Sequence, residues 1–292
     1  NINSDGFRGN ELDPQSTDYR IFFLGGSTAF GFVTSTDDFT IPALLEKKLK
    51  NTGMNVTVIN AGIPGANSMD ERYYIETHIK KNSPNMIIMY DGWNDGSTYD
   101  YTNTYEEFAS QSYYVNYPIA TENNSREGIL NIGLSTFFRE IDYKTGMGIA
   151  QVLVGAAHPE SITNQTVFDK ENLSNVEKKL QNNWSKICEM GQKNDFQTVN
   201  ILQPIFGTSD RIPSNSESFN VYEGELLLRS FELNNSQYRP CDEVYDLRNV
   251  FSGMDNIPIY FDRGHMSDQG NEIVAEAIYK NIFPIILEDN SD

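Results

Sequence analysis

Three short apolar runs, each ending at glycine and each parted from the next by a helical pattern, constrain this chain more than any other feature. Tyr19-Arg20-Ile21-Phe22-Phe23-Leu24 stops at Gly25-Gly26, Asn55 to Ala61 stops at Gly62-Ile63-Pro64-Gly65, and Asn85 to Tyr90 runs out at Gly92. Runs of this length bounded by turn residues read as buried strands. Between the first two, Thr40 is placed to cap a helix and Pro42 falls in its first turn, where a missing N–H costs little. Ala43, Leu44, Leu45 and Leu49 give that helix an apolar side, and Glu46, Lys47, Lys48 and Lys50 a wet one. A second helix is expected through 68–81. Strand, helix, strand, helix, strand at this spacing requires right-handed crossovers and a parallel sheet.

The same rhythm returns late in the chain. A helix is expected over about 175–193, a strand at 198–202, a short strand near 244–247 and a last helix at 268–282. Ile273, Val274, Ala277, Ile278 and Ile282 supply the buried side of that helix. Residues 1–18 are polar, lack periodicity and read as an irregular lead-in. Residues 97–173 break the pattern and hold Tyr99, Tyr101, Tyr105, Tyr113, Tyr114 and Tyr117. Long stretches of this kind inside a domain are lids or binding inserts when they are functional. The organisation expected is one domain over 1–292, with 97–173 as an insertion after the third strand.

Composition narrows the function. Lys+Arg is 22 against 41 Asp+Glu, a formal net charge of −19 over 292 residues. That balance argues against nucleic acid or anionic lipid as main partner, since both select a basic face. No run of about 18 apolar residues offers a membrane span. The two cysteines, Cys188 and Cys241, are too few for a Cys-based zinc site; they fit either one bridge or two thiols. Asn-x-Ser/Thr sequons lie at Asn55, Asn123, Asn164, Asn172, Asn183 and Asn234. With the acidic balance and an opening residue that is not Met, they favour an exported glycoprotein, although abundant Asn also raises the number expected by chance.

Four segments carry candidate chemistry, three of them just past a strand, the edge at which open parallel sheets bind ligands. Gly25-Gly26-Ser27-Thr28-Ala29-Phe30-Gly31 turns sharply and presents a hydroxyl above the sheet. It approaches the nucleophile-elbow pattern and lacks the Gly-Lys-Ser/Thr ending of a phosphate loop; a plain strand-to-helix turn would look alike. Asn60-Ala61-Gly62-Ile63-Pro64-Gly65 is either an ordinary turn or a place where the Gly65 N–H is aimed into a site. Asp91-Gly92-Trp93-Asn94-Asp95-Gly96 offers the Asn94 amide as a donor, or simply Asx turns. The fourth segment, Tyr260 to Ser267, holds Asp262 three residues before His265. A turn of that length lets a carboxylate fix the imidazole tautomer and leaves Nε2 as a base. The other two histidines, His78 and His158, read as surface or packing residues.

In this order the four segments resemble the blocks of the SGNH hydrolases, the GDSL lipase/esterase superfamily, over most of the chain. Gly26 departs from that pattern, standing where Gly-Asp-Ser has its Asp. The resemblance implies a flavodoxin-like three-layer αβα sandwich with a parallel sheet of about five strands. It implies catalysis by Ser27, His265 and Asp262, and an oxyanion hole made by Ser27, Gly65 and Asn94. No cofactor and no metal are required. The activity it implies is that of a serine esterase working through an acyl-enzyme, with an O-acetyl group on carbohydrate as the expected substrate. The partner is then a small-molecule or glycan ester. A short-chain lipid esterase or thioesterase is the nearest alternative, and a non-catalytic surface glycoprotein that keeps the fold is the alternative from another class.

Overall fold

β1 (Tyr19–Gly25) pairs with β2 (Val56–Asn60) on one side and β3 (Met86–Asp91) on the other. Beyond β3 lie β4 (Gln197–Leu202) and β5 (Val244–Asp246), giving the order β2-β1-β3-β4-β5 with every pair parallel. The computed structural model describes residues 1–97, 170–204, 241, 243–254, 259–261 and 264–289. All of these fall in the unit formed by Asn1–Gln111 and Lys170–Asp292; a second unit, Ser112–Asp169, lies outside the described residues. The insertion expected at 97–173 therefore lies mostly outside them too.

Both faces of the sheet are covered, which is why its central strands are mostly apolar. Ile21, Phe23, Ile88, Tyr90 and Ile201 pack under α2 (Ile41–Asn51) and the C-terminal helix, meeting Leu45, Leu49, Val274 and Ile278. Phe22, Leu24, Ile87 and Met89 turn to the opposite face, against α3 (Ser68–Thr77) and a long helix, meeting Ile75, Leu180, Trp184 and Ile187. Period-two alternation along β1 and β3 thus feeds two cores. The result is the three-layer αβα architecture expected from the sequence.

Two short helices, α1 (Ser27–Phe30) and α4 (Trp93–Ser97), follow β1 and β3 directly. The long helix α5 (Lys170–Asn194) begins earlier than the 175–193 read from sequence. The last, α6 (Asp268–Asp289), continues through Pro284 rather than ending at 282. Proline removes one donor there, while burial of Ile286 and a hydrogen bond from the Tyr19 hydroxyl to Asp289 Oδ2 (2.7 Å) hold the final turns down. Thr40 caps α2 as expected, accepting from the Ala43 N–H, and Asn67 with Asp70 forms a capping box on α3. Cys188 and Cys241 are joined in a disulfide, tying α5 to the approach to β5.

The chain order makes one crevice. β1 leads to β2 on its one side and β3 follows on its other, so the carboxyl ends of β1 and β3 part at a topological switch point. Ser27 and Asn94 stand on the two lips of that opening.

Candidate active site

Ser27 is the first residue of α1, immediately after a turn that only small residues allow. At Gly25, with φ +148°, an added Cβ would meet the Tyr90 carbonyl oxygen at 2.8 Å. At Gly26 it would collide with the Asn94 side-chain amide. At the position where this chain departs from Gly-Asp-Ser, the space a side chain would need is filled by Asn94.

His265 arrives from the far end of the chain. The segment carrying it doubles back, with the Phe261 N–H donating to the His265 carbonyl (2.9 Å) and Tyr260 bridging Met266. Its Nε2 lies 2.8 Å from Ser27 Oγ. A hydroxyl at that distance from a ring nitrogen can lose its proton as its oxygen attacks. The Phe32 ring lies beside the imidazole, centroids 5.9 Å apart, and Trp93 covers the Gly264 backbone. Asp262, the expected third member, lies outside the described residues.

The expected oxyanion donors come from three loops on one edge. Asn94 Nδ2 donates to the Ala66 carbonyl at 2.7 Å, which joins the α4 lip to the loop carrying Gly65. Gly65 itself is exposed, with φ +86°. A second strap runs beside the first: the Ser68 hydroxyl donates to Asp95 Oδ1 at 2.5 Å, and Asn183 Nδ2 donates to the same hydroxyl at 3.0 Å. The structure therefore brings Ser27, Asn94 and His265 together and sets the Gly65 loop against Asn94.

Beneath these loops lies a group of acids that sequence reading left unassigned. Asp91 and Glu71 are buried, and Trp184 Nε1 donates to Asp91 Oδ2 at 2.6 Å. Burial first, and then the charge of Asp95, pushes Asp91 up to about 8. Glu71 lies near Asp91, and no donor reaches either of its oxygens. Burial, and then the charge of Asp91, drives it well above the usual carboxylate range. Desolvation also raises Asp95 and Asp70, each to about 6. The signal for this group was an acid at each end of Asp91-Gly92-Trp93-Asn94-Asp95.

His78 takes the packing role expected of it. It ends α3, its ring stacks on Tyr74 at 5.2 Å, and its Nδ1 lies 2.6 Å from Thr77 Oγ1. Crossover helices run opposite to the strands, so the end of α3 is at the edge away from Ser27. His158 lies outside the described residues. Among the described residues no three His, Cys, Asp or Glu side chains are grouped to hold a metal ion, and no helix is long and apolar enough to cross a membrane.

With this geometry in hand, likeness to known proteins can be weighed. The family model for GDSL-like lipase/acylhydrolase matches residues 21–278. A gut microbial diltiazem-metabolizing enzyme superposes with a TM-score of 0.53 at 13% identity, covering 92% of this chain and 48% of its own. The present chain thus spans about half of that enzyme. An alpha/beta hydrolase enzyme from the metagenome of Lake Arreo, Spain, gives 0.50 at 11% identity, covering 92% of this chain and 96% of that one. A crystal structure of an acetyl xylan esterase gives 0.47 at 15% identity over 89% and 98%. No curated protein matches. At such identities the two higher-scoring likenesses speak to the fold.

Proposed function

The chain belongs to the GDSL-like lipase/acylhydrolase family and is an ester-bond hydrolase, and on that premise we propose that it works as a serine esterase through an acyl-enzyme formed on Ser27. The observation that supports this most directly is the 2.8 Å approach of His265 Nε2 to Ser27 Oγ at the switch point of the sheet.

The chemistry follows from where the groups stand. Ser27 Oγ attacks the ester carbonyl carbon as its proton passes to His265 Nε2. The carbonyl oxygen becomes an alkoxide held by the N–H groups of Ser27 and Gly65 and by the second N–H of the Asn94 amide. Collapse breaks the bond to the alcohol oxygen, which takes the proton from His265. Water then repeats the sequence on the acyl-enzyme, releasing the acid and restoring Ser27. Asp262 is assigned to orient the imidazole and stabilise its cation. Each oxyanion donor is worth about 10²–10³ in rate.

The substrate we assign is a small uncharged ester, with O-acetyl groups on carbohydrate as the first class to test. A net charge of −19 disfavours anionic esters, and the tyrosines between 99 and 117 offer apolar faces with hydroxyls of the kind that meet sugar rings. We also read the protein as exported, since a Cys188–Cys241 disulfide suits an oxidising compartment. Of the sequon asparagines with described side chains, Asn55 is exposed and open to glycosylation, whereas Asn183 is buried against Ser68.

Hydrolysis of p-nitrophenyl acetate by wild type and by Ser27→Ala tests the mechanism. Loss of turnover in the variant is expected, and equal rates would overturn it. A panel of acetylated sugars against acyl esters of rising chain length tests the substrate. Faster turnover of the longer acyl chains would replace the carbohydrate assignment with the lipid one.

A further inference from the structure

The first eight residues, polar and without period, fold into a device aimed at the nucleophile. Asn3 organises a tight turn, its Oδ1 accepting from the Phe7 N–H and its N–H donating to the Phe7 carbonyl, both at 2.8 Å. Phe7 enters the core edge-on to Phe22, and the Arg8 N–H donates to the Asn60 carbonyl at the end of β2 (3.1 Å). Backbone and ring together fix where the Arg8 side chain starts.

That side chain reaches the far end of α1. Arg8 Nη1 donates to the carbonyls of Phe30 (2.8 Å) and Gly31 (2.6 Å), and Nε donates to Asp37 Oδ1 (2.8 Å). Its guanidinium carbon lies over the Phe30 ring, 4.9 Å from the centroid, and the side chain is only 13% exposed. Nothing in a one-turn helix holds it in place by itself, because its last carbonyls have no intrahelical partners and nucleation is unfavourable. β1 fixes the N-terminal end, where Ser27 is. At the other end Gly31 turns left-handed at φ +83°, and a Cβ there would meet Thr40 Cγ2 at 2.5 Å.

The loop anchored in this way then runs to the histidine. Phe32 lies on the His265 ring, and the Ser35 N–H donates to Asp268 Oδ1 (3.1 Å) at the start of α6. We infer that Arg8 is a positioning residue for the reaction, clamping the C-terminal carbonyls of α1 so that Ser27 Oγ and His265 Nε2 stay at attacking distance. The inference rests on the proposed role of Ser27. A guanidinium suits the task because it is charged at every working pH and its fork reaches two carbonyls and a carboxylate at once.

The experiment compares wild type, Arg8→Ala, Arg8→Lys, Asp37→Asn and Ser27→Ala on p-nitrophenyl acetate, with thermal unfolding of each. Displacement of a reacting group by about 1 Å costs about 10² in rate, so kcat in Arg8→Ala should fall about 10–100-fold with KM within a few-fold. Guanidinium ion, added well below unfolding concentrations, should return part of that rate. Arg8→Lys should lose less, because its ammonium still reaches one carbonyl. Asp37→Asn should lose least, because both carbonyl bonds survive it.

Equal losses in Asp37→Asn and Arg8→Ala would make the ion pair the cause and overturn the clamp. So would a loss in Arg8→Ala and Arg8→Lys that follows the unfolded fraction and ignores guanidinium. Wild-type kcat in Arg8→Ala with Ser27→Ala inactive overturns the positioning role and leaves the esterase reading standing. Activity surviving in Ser27→Ala overturns both.

Discussion

The side-chain amide of Asn94 occupies the room that a Cβ on residue 26 would need, so a side chain at position 26 would have to displace it. Gly26→Ala should push Asn94 off the Ala66 carbonyl and remove its second N–H from the site. Turnover of p-nitrophenyl acetate should fall about 10²–10³-fold, the effect of one lost oxyanion donor. Gly26→Asp, which restores the usual Gly-Asp-Ser, should be no better. Steady-state kinetics with a thermal melt checks both.

Asn94→Ala should reproduce that loss with the backbone undisturbed. Because the interaction forms in the transition state, the decrease should appear in kcat and kcat/KM alike, with KM moving little. A rise in KM at constant kcat would give Asn94 to ground-state binding instead.

His265→Ala should cost several powers of ten in kcat, because base and nucleophile act as one unit. His78→Ala should leave turnover near wild type, since His78 ends α3 against Tyr74 and Thr77. Parallel assays of the two variants separate the histidine that works from the one that packs.

Asp91 gives the fold a pH dependence of stated sign. Its folded pKa is raised from an ordinary 3.8 to about 8. Its proton therefore stabilises the folded state: the contribution is complete below the unfolded value and is lost as pH rises through about 8. Thermal midpoints should fall from pH 6 to pH 9, and Asp91→Asn should flatten that slope, since an amide oxygen still accepts from Trp184 Nε1. Glu71→Gln should fold normally at neutral pH, because burial already disfavours the charged form of Glu71.

Reduction of Cys188–Cys241 should lower stability by about 2–4 kcal/mol, the usual range for a bridge closing a loop of this order. Unfolding with and without dithiothreitol, beside the Cys188→Ala/Cys241→Ala double variant, measures it. Activity in the reduced protein should persist at temperatures where it stays folded, because neither cysteine has a part in the proposed mechanism.

The strands and the main helices were legible because β1, β2 and β3 are short, mostly apolar runs that give way to glycine. Ser27 and Asn94 stood out as candidates because each follows a strand that gives way to glycine, and His265 because an acid lies three residues before it. α1 and α4 escaped because one turn has no period to read. Arg8 escaped because its partners are carbonyl oxygens, which every residue possesses, 22 and 23 positions away. Glu71 looked like an ordinary polar residue on a helix, and only the packing of α3 against β3 and α5 buries it. The cysteine pair needed coordinates, since spacing does not choose between a bridge and two thiols.

Ser27 and His265 are 238 residues apart in sequence, one following the first strand and the other preceding the last helix. Under the proposed mechanism a ribosome releases the nucleophile long before its base, and a chain that stops short of residue 265 carries a serine with nothing to activate it. Under that mechanism hydrolysis waits until the segment carrying His265 has docked beside Ser27, and fragments cut ahead of residue 265 should be chemically silent.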